Sequence, residues 1–331
     1  MSRIAVIGAG AWGTALTVSL ARRGDHRLTL WAHSPDHAAC LTETGENTRY
    51  LPGFILPADV AITSDLGAAI AGADIILCVT PSQALRSIMV QIAPMITSRQ
   101  VLLSASKGIE EKTFLRMSQI MAEYAPDNPI GTLGGPSFAY EVAAAMPTAI
   151  TMAIEDSTLG KSLQDDFSSA SLRAYRNEDV IGTELGGALK NVIALAAGVI
   201  TGLELGNNAT AGVITRGIAE ITRLAMACGG RRETMSGLSG IGDLVLTCTG
   251  GLSRNRTVGV ELGKGRKLPD IIAGLNGKVA EGVLTTTAAL GLASRYGVEM
   301  PITEQMAAIL HEQKAPLDAI SELMSRPGRT E

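Results

Sequence analysis

The sequence predicts an α/β protein: a doubly wound, mostly parallel sheet over residues 1–180, followed by an all-helical domain over residues 181–331. Two patterns predict this architecture. Short apolar runs alternate with helical runs up to about residue 180, and long stretches of helical periodicity replace them afterwards. The length of 331 residues also exceeds the size at which a single core usually keeps growing. We therefore expect two domains with a boundary near residue 180.

Seven short apolar runs predict the strands of the sheet. They cover residues 4–7, 28–31, 75–80, 101–105, 130–133, 148–153 and 172–175. Right-handed crossovers would make this sheet mostly parallel, and ligands bind beyond the carboxyl ends of such strands. Residues that follow strands are therefore informative. Pro81 and Ser82 follow ADIILCVT, Lys107 follows VLLSAS, and GGPS (134–137) follows IGTL.

Three glycines come directly after the first predicted strand, in RIAVIGAGAWGTAL. Gly8, Gly10 and Gly13 lie where this strand turns into a helix. In such a turn the first glycine permits the bend, the second lets a pyrophosphate approach the backbone, and the third lets the helix pack on the strand. The next predicted strand follows at the distance of a βαβ unit. The turn thus predicts a Rossmann-like domain that binds a dinucleotide at the helix N-terminus.

The end of the second strand bears on which nicotinamide cofactor is used. An acidic residue there would bind the adenine ribose of NAD, but the strand ends in Trp31, Ala32, His33 and Ser34. Because no carboxylate would repel a 2′-phosphate, the sequence accepts NADP or NAD, with NADP slightly preferred. His33 and His37 are spaced i, i+4 but lack a third ligand, so no metal site is expected.

Beyond residue 180 the helices are predicted over residues 183–205, 211–227, 253–262, 285–296 and 302–310. The most apolar segment has thirteen residues between Lys190 and Glu204, too few for a membrane span of about twenty. We expect a buried helix there and no stable insertion into a membrane.

The composition excludes one class of partner and indicates a compartment. A net charge of −4 and 3% aromatic residues offer neither the basic field nor the stacking surfaces of a nucleic-acid binder. The first residues show no export signal, and Cys40, Cys78, Cys228 and Cys248 form no CxxC pair. These features are typical of a cytoplasmic protein with reduced thiols.

Lys190 is the strongest candidate for a catalytic group. In ELGGALKNVIALAAG it has Gly186 and Gly187 on its own helix face, which leaves the amine uncrowded. Each glycine costs a helix about 1 kcal/mol relative to alanine, and close approach by a ligand would account for them. Apolar surroundings should lower the pKa of this amine and suit it to exchange a proton with a substrate. The alternative is a lysine that extends along a helix packing surface.

A second cluster lies in GDLVLTCTGGLSRNR. Asp243 and Thr247 share a helix face, and Ser253 is a candidate N-cap for the following helix. Arg254, Asn255 and Arg256 then fall in its first turn. Since the helix dipole disfavours cations there, the arginines indicate a bound anion such as a phosphate, unless they simply extend into solvent.

Two loops of the sheet domain complete the set of candidate residues. Lys107, in SASKGIE, could reach a phosphate or carbonyl oxygen of a ligand. Gly135 and Ser137, in GGPSFAYEVA, offer backbone and hydroxyl donors where another helix begins. From the residues alone, the chain is predicted to be a nicotinamide oxidoreductase that acts on a small anionic substrate.

The stretches GAGAWGTAL, SASKGIE, GGPSFAYEVA, ELGGALKNVIALAAG and GDLVLTCTGGLSRNR, in this order and spacing, resemble the bacterial type of NAD(P)-dependent glycerol-3-phosphate dehydrogenase. The resemblance covers nearly the whole chain. It implies reversible hydride transfer between NAD(P)H and dihydroxyacetone phosphate, giving sn-glycerol 3-phosphate for phospholipid synthesis. It also implies a homodimer formed through the helical domain.

The resemblance further implies roles for single residues. Lys190 would donate and accept the proton, with Asp243 and Thr247 orienting it. The substrate-binding residues would be Lys107, Gly135, Ser137, Lys190, Asp243, Ser253, Arg254 and Asn255. The cofactor-binding residues would be Gly8, Gly10, Ala11, Trp12, Gly13, His33, Lys107, Ala139, Arg254, Val279 and Glu281. Position 11 is often serine in this family, so Ala11 removes one hydroxyl contact to phosphate and leaves the backbone N–H.

Two alternative functions stay open at the level of sequence. A hydroxy-acid or sugar-acid dehydrogenase would need a site for a carboxylate in place of a phosphate. A non-catalytic NADP-sensing protein would have no use for Lys190 or Asp243, and it would oxidise no NADPH with a ketone phosphate.

Overall fold

The computed structural model describes residues 1–275 and 280–328, and it confirms the predicted fold class. Eight strands form one sheet in the order β3-β2-β1-β4-β5-β6-β7-β8, in which every pair is parallel except the antiparallel β6–β7 pair. The strands are β1 (Arg3–Ile7), β2 (Arg27–Trp31), β3 (Ala61–Thr63), β4 (Ile75–Cys78), β5 (Val101–Ser104), β6 (Ile130–Gly134), β7 (Thr148–Ile154) and β8 (Leu172–Asn177).

The sequence prediction missed strand β3. It has three residues and lies at the edge of the sheet, so its apolar run is too short to predict a strand. The other strands differ from the prediction only at their ends. Strand β4, for example, ends at Cys78 instead of residue 80.

Helices cover both faces of the sheet. They are α1 (Ala11–Ala21), α2 (Pro35–Thr44), α3 (Leu66–Ile70), α4 (Leu85–Ile92), α5 (Met117–Tyr124), α6 (Ala139–Ala143) and α7 (Ser157–Phe167). Alternate residues of β1 point to opposite faces: Ile4 and Val6 join the core under α1 and α7, whereas Ala5 and Ile7 join the core under α4 and α5. This two-sided burial explains why the central strands read as continuous apolar runs.

After β8, every element of the described residues is helical. They are α8 (Val180–Gly202), α9 (Gly206–Ala227), α10 (Arg232–Met235), a π-helical turn (Leu238–Gly242), α11 (Asp243–Thr249), α12 (Arg254–Gly263), α13 (Leu268–Ala273), α14 (Glu281–Tyr296), α15 (Pro301–His311) and α16 (Pro316–Met324). We call residues 1–177 the sheet half and residues 180–328 the helical half. In the helical half, α8 is the central helix, and α9, α11, α12 and α14 pack around it.

Helix α8 corrects one length argument made from the sequence. The count of thirteen residues between Lys190 and Glu204 suggested a segment too short to cross a membrane. The helix has 23 residues, and by length and composition it is long and apolar enough to do so. Of its most apolar stretch, 89% is buried inside the protein. The buried Glu184 and Lys190 lie within this helix, so charges did not mark its ends.

Helices α8 and α12 cross in direct backbone contact through two glycines on each. A Cβ atom on Gly198 would lie 2.2 Å from the carbonyl oxygen of Arg256, and one on Gly259 would lie 2.0 Å from that of Leu195. Gly202 and Gly263 meet in the same way one turn further along. No larger residue fits without moving a helix. The crossing therefore fixes where α12 begins relative to the middle of α8.

The two halves are joined by a buried carboxylate of α8. Glu184 accepts hydrogen bonds from the backbone N and the hydroxyl of Ser118, both at 2.7 Å, and pairs with Arg116 at 2.6 Å. These donors lie at the first turn of α5 in the sheet half. The Glu184 side chain thus caps the N-terminus of α5, a helix of the sheet half, and holds the two halves together.

Candidate active site

The glycine turn after β1 is too crowded for any larger residue at two of its three positions. Gly8 has a φ of +129°, and a Cβ atom there would lie 2.5 Å from the carbonyl oxygen of Val79. A Cβ atom on Gly13 would lie 1.8 Å from the carbonyl oxygen of Gly8. Glycine at position 13 therefore lets α1 pack directly on the turn, as the sequence pattern predicts.

The middle glycine faces open space. Apart from its chain neighbours, no atom of residues 1–275 and 280–328 lies within 4 Å of a Cβ atom built on Gly10. Helix α1 begins at Ala11 without a side-chain cap, so its first N–H groups are free to bind an anion. The buried indole Nε1 of Trp12 also has no hydrogen-bond partner among the described residues. A cradle of backbone donors beside an unfilled space suits a dinucleotide diphosphate.

The segment after β2 carries no carboxylate at positions 32–34. His33 is exposed, and the Ser34 hydroxyl caps α2 by accepting from the backbone N of His37 at 3.4 Å. The ring of His37 contacts Asn47 Oδ1 at 3.2 Å and packs edge-on against Tyr50. His37 thus has a structural partner. Over residues 1–275 and 280–328, no group of three or more His, Cys, Asp or Glu side chains could hold a metal ion.

Three charged side chains from different elements meet between the two halves. Asp243, at the start of α11, is fully buried. One of its carboxylate oxygens accepts a hydrogen bond from Lys190 Nζ of α8, and the other accepts one from Lys107 Nζ at 2.9 Å. Lys107 comes from the loop after β5 in the sheet half. We call Lys190, Asp243 and Lys107 the charged triad, and its formal charge is +1.

The environment of Lys190 changes its acidity. The residue is 6% exposed, and this burial lowers the pKa of Lys190 to about 7. The Asp243 carboxylate opposes the shift, while the Lys107 ammonium adds to it. An amine that titrates near neutral pH can both give and take a proton under ordinary conditions.

The neighbours of Lys190 correct the interpretation of its two glycines. Gly186 does not face a ligand, because a Cβ atom there would lie 2.3 Å from the backbone oxygen of Ser239 in the π-helical turn. Gly187 faces the aliphatic stem of Lys107 at 3.8 Å. Close backbone packing and room for Lys107 thus explain these residues. The structure favours this reason over approach by a substrate.

Thr247 supports Asp243 from the next turn of α11. Its hydroxyl donates to the Asp243 backbone oxygen at 2.6 Å and lies 3.5 Å from a carboxylate oxygen of the same residue. The predicted helix face with Asp243 and Thr247 at i, i+4 is confirmed. The threonine therefore lies next to the charged triad on the buried side of α11.

The loop after β6 contributes a carbonyl to the triad. Lys107 Nζ donates to Gly135 O at 3.0 Å, and the Ser137 hydroxyl donates to the same oxygen at 3.0 Å. Gly135 has a φ of +96°, which favours glycine. Gly135 and Ser137 therefore lie together beside Lys107. Ala139 begins α6 two residues after Ser137 and packs against the cluster that includes Ala15 of α1.

Helix α12 begins as the sequence predicts. The Ser253 hydroxyl caps it by accepting from Arg256 N at 3.2 Å, and Arg254 to Arg256 form its first turn. Arg254 is exposed and Asn255 is buried. Asn255 donates to Asn191 Oδ1 at 2.9 Å and accepts from Gly282 N at 3.0 Å. This chain of amides ties the start of α12 to α8 and α14.

Two predicted positions belong to the segment around α14. Glu281 is its first residue, and its carboxylate accepts hydrogen bonds from Ser82 of the sheet half. Val279 lies outside the described residues. Sequence reasoning missed Asn191 because its partner Asn255 is 64 residues away, although Asn191 directly follows Lys190. It noted Ser82 only as a residue that follows a strand.

Comparison with known proteins gives two matching family models. The model described as NAD-dependent glycerol-3-phosphate dehydrogenase N-terminus matches residues 3–160, and the model described as its C-terminus matches residues 179–321. Together they span most of both halves.

Individual relatives agree with these family models. The glycerol-3-phosphate dehydrogenase [NAD(P)+] of Koribacter versatilis is 57% identical over 100% of this chain and 99% of its own length. That of Acidobacterium capsulatum is 58% identical over the full length of both chains. A crystal structure of glycerol-3-phosphate dehydrogenase from Coxiella burnetii is 39% identical, superposes with a TM-score of 0.94, and matches 98% of this chain and 99% of that one.

Proposed function

The chain belongs to the NAD-dependent glycerol-3-phosphate dehydrogenase family. We therefore propose that the charged triad is the catalytic centre of the reaction that gives this family its name. The enzyme reversibly reduces dihydroxyacetone phosphate with NADH or NADPH to sn-glycerol 3-phosphate, which supplies phospholipid synthesis. The observation that carries the proposal is the buried amine of Lys190, held by Asp243 between the two halves of the molecule.

Lys190 is the proposed acid and base. When bound, the reduced nicotinamide supplies a hydride to the ketone carbon. Lys190 gives the proton on Nζ to the oxygen that becomes the alkoxide, and it takes this proton back in the reverse direction. Asp243 orients the ammonium, and Lys107 adds a second positive charge near the developing oxyanion. Burial excludes water, which strengthens these interactions.

The start of α12 is the proposed phosphate site. Ser253, Arg254 and Asn255 occupy its N-cap and first turn, where N–H groups favour an anion. The amide contacts of Asn255 hold this turn against α8, the helix that carries Lys190. Gly135 and Ser137 would line the substrate pocket on the opposite side, beside Lys107.

The cofactor is proposed to lie across the sheet half. The open space at Gly10 and the free N–H groups of Ala11 to Gly13 support diphosphate binding there. We infer contacts from His33, Ala139 and Glu281, and from Arg254 and Lys107 at the junction of the halves. NADP is the preferred cofactor, because no carboxylate at positions 32–34 would repel its 2′-phosphate. A ratio of kcat/KM values that strongly favours NADH would remove this preference.

The same reasoning extends to organisation and location. We propose residues 1–180 as the dinucleotide-binding domain and 181–331 as the substrate domain, since β8 ends at Asn177 and α8 begins at Val180. We also propose a homodimer in the cytoplasm. Free cysteines and the burial of α8 support that location.

The decisive experiment is a spectrophotometric assay of NADPH and NADH oxidation with dihydroxyacetone phosphate. We expect turnover that depends on the ketone phosphate, and little turnover with 2-keto acids that lack a phosphate. Oxidation with a keto acid alone would favour a hydroxy-acid dehydrogenase. No oxidation with any ketone would leave a cofactor-binding protein without catalysis.

A further inference from the structure

Ser82 is a buried residue at the carboxyl end of β4 that the proposed mechanism does not use. It is fully buried. Its hydroxyl donates to Glu281 Oε2 at 2.6 Å and its backbone N donates to Glu281 Oε1 at 3.1 Å. The two residues are 199 positions apart and belong to different halves. Ser82 therefore binds both oxygens of a carboxylate that begins α14.

The same hydroxyl also packs against the loop that carries Lys107. A Cβ atom on Gly108 would lie 2.4 Å from Ser82 Oγ, 2.6 Å from Ser82 Cβ and 3.2 Å from Glu281 Oε2. Next to Ser82, Gln83 Nε2 donates to Ile109 O at 2.8 Å, and Gln83 Oε1 accepts from Glu111 N at 3.0 Å. The Ser82–Gln83 segment thus holds the backbone that follows Lys107.

The hydrogen bonds from Ser82 affect the acidity of Glu281. Burial raises the pKa of Glu281, while the hydrogen bonds from Ser82 and the charge of Arg254 oppose that rise. Ser82 therefore helps to keep the buried Glu281 carboxylate ionised. Glu281 lies next to Gly282, which donates to Asn255 of the proposed phosphate site.

We propose that Ser82 is a positioning residue for cofactor binding. It fixes the position of the Glu281 carboxylate, in the helical half, relative to the Lys107–Gly108 turn, in the sheet half. This inference rests on the proposed role of Glu281 as a cofactor contact. It assigns Ser82 an effect on the affinity for NADPH, and only a small effect on the affinity for dihydroxyacetone phosphate.

The first test is Ser82→Ala, with Ser87→Ala as the matched control. The Ser87 side chain is exposed in the same segment, and among the described residues its hydroxyl donates only to Ala84 O. We expect Ser82→Ala to weaken NADPH binding about tenfold, the usual effect of losing a hydrogen bond to a charged group. KM for dihydroxyacetone phosphate should stay within about twofold, because the hydroxyl does not touch α12 and Lys107 keeps its own hydrogen bonds to Asp243 and Gly135. Equal NADPH affinity in Ser82→Ala and wild type would overturn the proposal.

A second readout separates position from packing. Gly108→Ala should impair NADPH binding, because its new Cβ atom meets Ser82, and Ser82→Gly in the same chain makes room for it. If packing alone mattered, the double variant would recover wild-type affinity. We expect it to stay as weak as Ser82→Ala, because the hydroxyl is still missing.

The dependence on pH gives a third readout. Without the hydroxyl, Glu281 takes up a proton at a higher pH, so the deficit of Ser82→Ala should grow as pH falls from 8 to 5.5. A deficit that is constant over this range would argue for a purely structural role. NADPH affinity is measured by its own fluorescence with purified protein. If the wild type binds NADPH but reduces no dihydroxyacetone phosphate, the proposed function fails while the Ser82 test still stands.

Discussion

Gly198→Ala is the most direct test of how the fold sets the active site. The new Cβ atom would lie 2.2 Å from the carbonyl oxygen of Arg256 and 2.8 Å from Gly259 Cα. Both atoms belong to the backbone, so no side chain can move aside. To reach ordinary contact, α8 and α12 must separate by about 1 Å. Ser253, Arg254 and Asn255 then move away from Lys190 by a similar distance.

The expected loss follows from that displacement. A misplacement of about 1 Å costs up to about a hundredfold in rate, so we expect kcat/KM for dihydroxyacetone phosphate to fall by about 10- to 100-fold. Overpacking costs about 1–3 kcal/mol of stability, and the better helix propensity of alanine offsets up to about 1 kcal/mol of it. The melting temperature should therefore fall only modestly, while catalysis falls steeply.

Steady-state kinetics and thermal unfolding check this prediction against Gly212→Ala. Gly212 also lies within a helix, but a Cβ atom there would meet no atom within 4 Å in the part of the chain that the structure describes, apart from its chain neighbours and the backbone of its own helix. That control should keep wild-type kinetics and gain up to about 1 kcal/mol of stability from helix propensity. If Gly198→Ala showed wild-type kcat/KM, the glycine crossing would not determine the position of the phosphate site, and the reasoning would be wrong.

Three further predictions address the chemistry. Lys190→Ala should lower kcat at least about a hundredfold while NADPH still binds. The control Lys161→Ala, at an exposed site, should keep wild-type turnover. Near wild-type turnover in Lys190→Ala would show that Lys190 has no catalytic role. Arg254→Ala should chiefly raise KM for dihydroxyacetone phosphate, more than Arg256→Ala does, and unchanged saturation would place the anion elsewhere. Because the pKa of Lys190 lies at about 7 and reduction needs its protonated form, kcat/KM for reduction should fall as pH rises above 7, whereas oxidation should speed up. A flat pH profile in both directions would exclude Lys190 as the group that transfers the proton.

Much of the fold was predictable because its signals are local. The glycine turn, the alternation of strands and helices, and the Ser253 cap each depend on residues within a few positions of one another. Strand β3 escaped prediction because a three-residue edge strand has too short an apolar run to be recognised. The membrane argument was wrong about length, since a mostly buried helix can include Glu184 and Lys190 when partners neutralise them.

The candidate site was likewise predictable only in part. The pattern identified Lys190, Asp243 and Lys107 as separate candidates, but it misread Gly186 as a place for a ligand. In the structure this glycine packs against the backbone of Ser239, which lies 53 residues away. Nothing within α8 indicates that contact, because close helix packing and ligand approach both require a missing side chain.

The sequence by itself determined the longer strands and helices, the dinucleotide turn and the chemical types of the candidate residues, because backbone conformation and helix capping are set by neighbours along the chain. Only the tertiary structure decided that one carboxylate binds two lysines 53 and 136 positions away, and that Ser82 meets Glu281. Such contacts depend on which faces of the helices and of the two halves are buried against each other. In this protein the glycine crossing of α8 and α12 and the capping of α5 by Glu184 determine that packing.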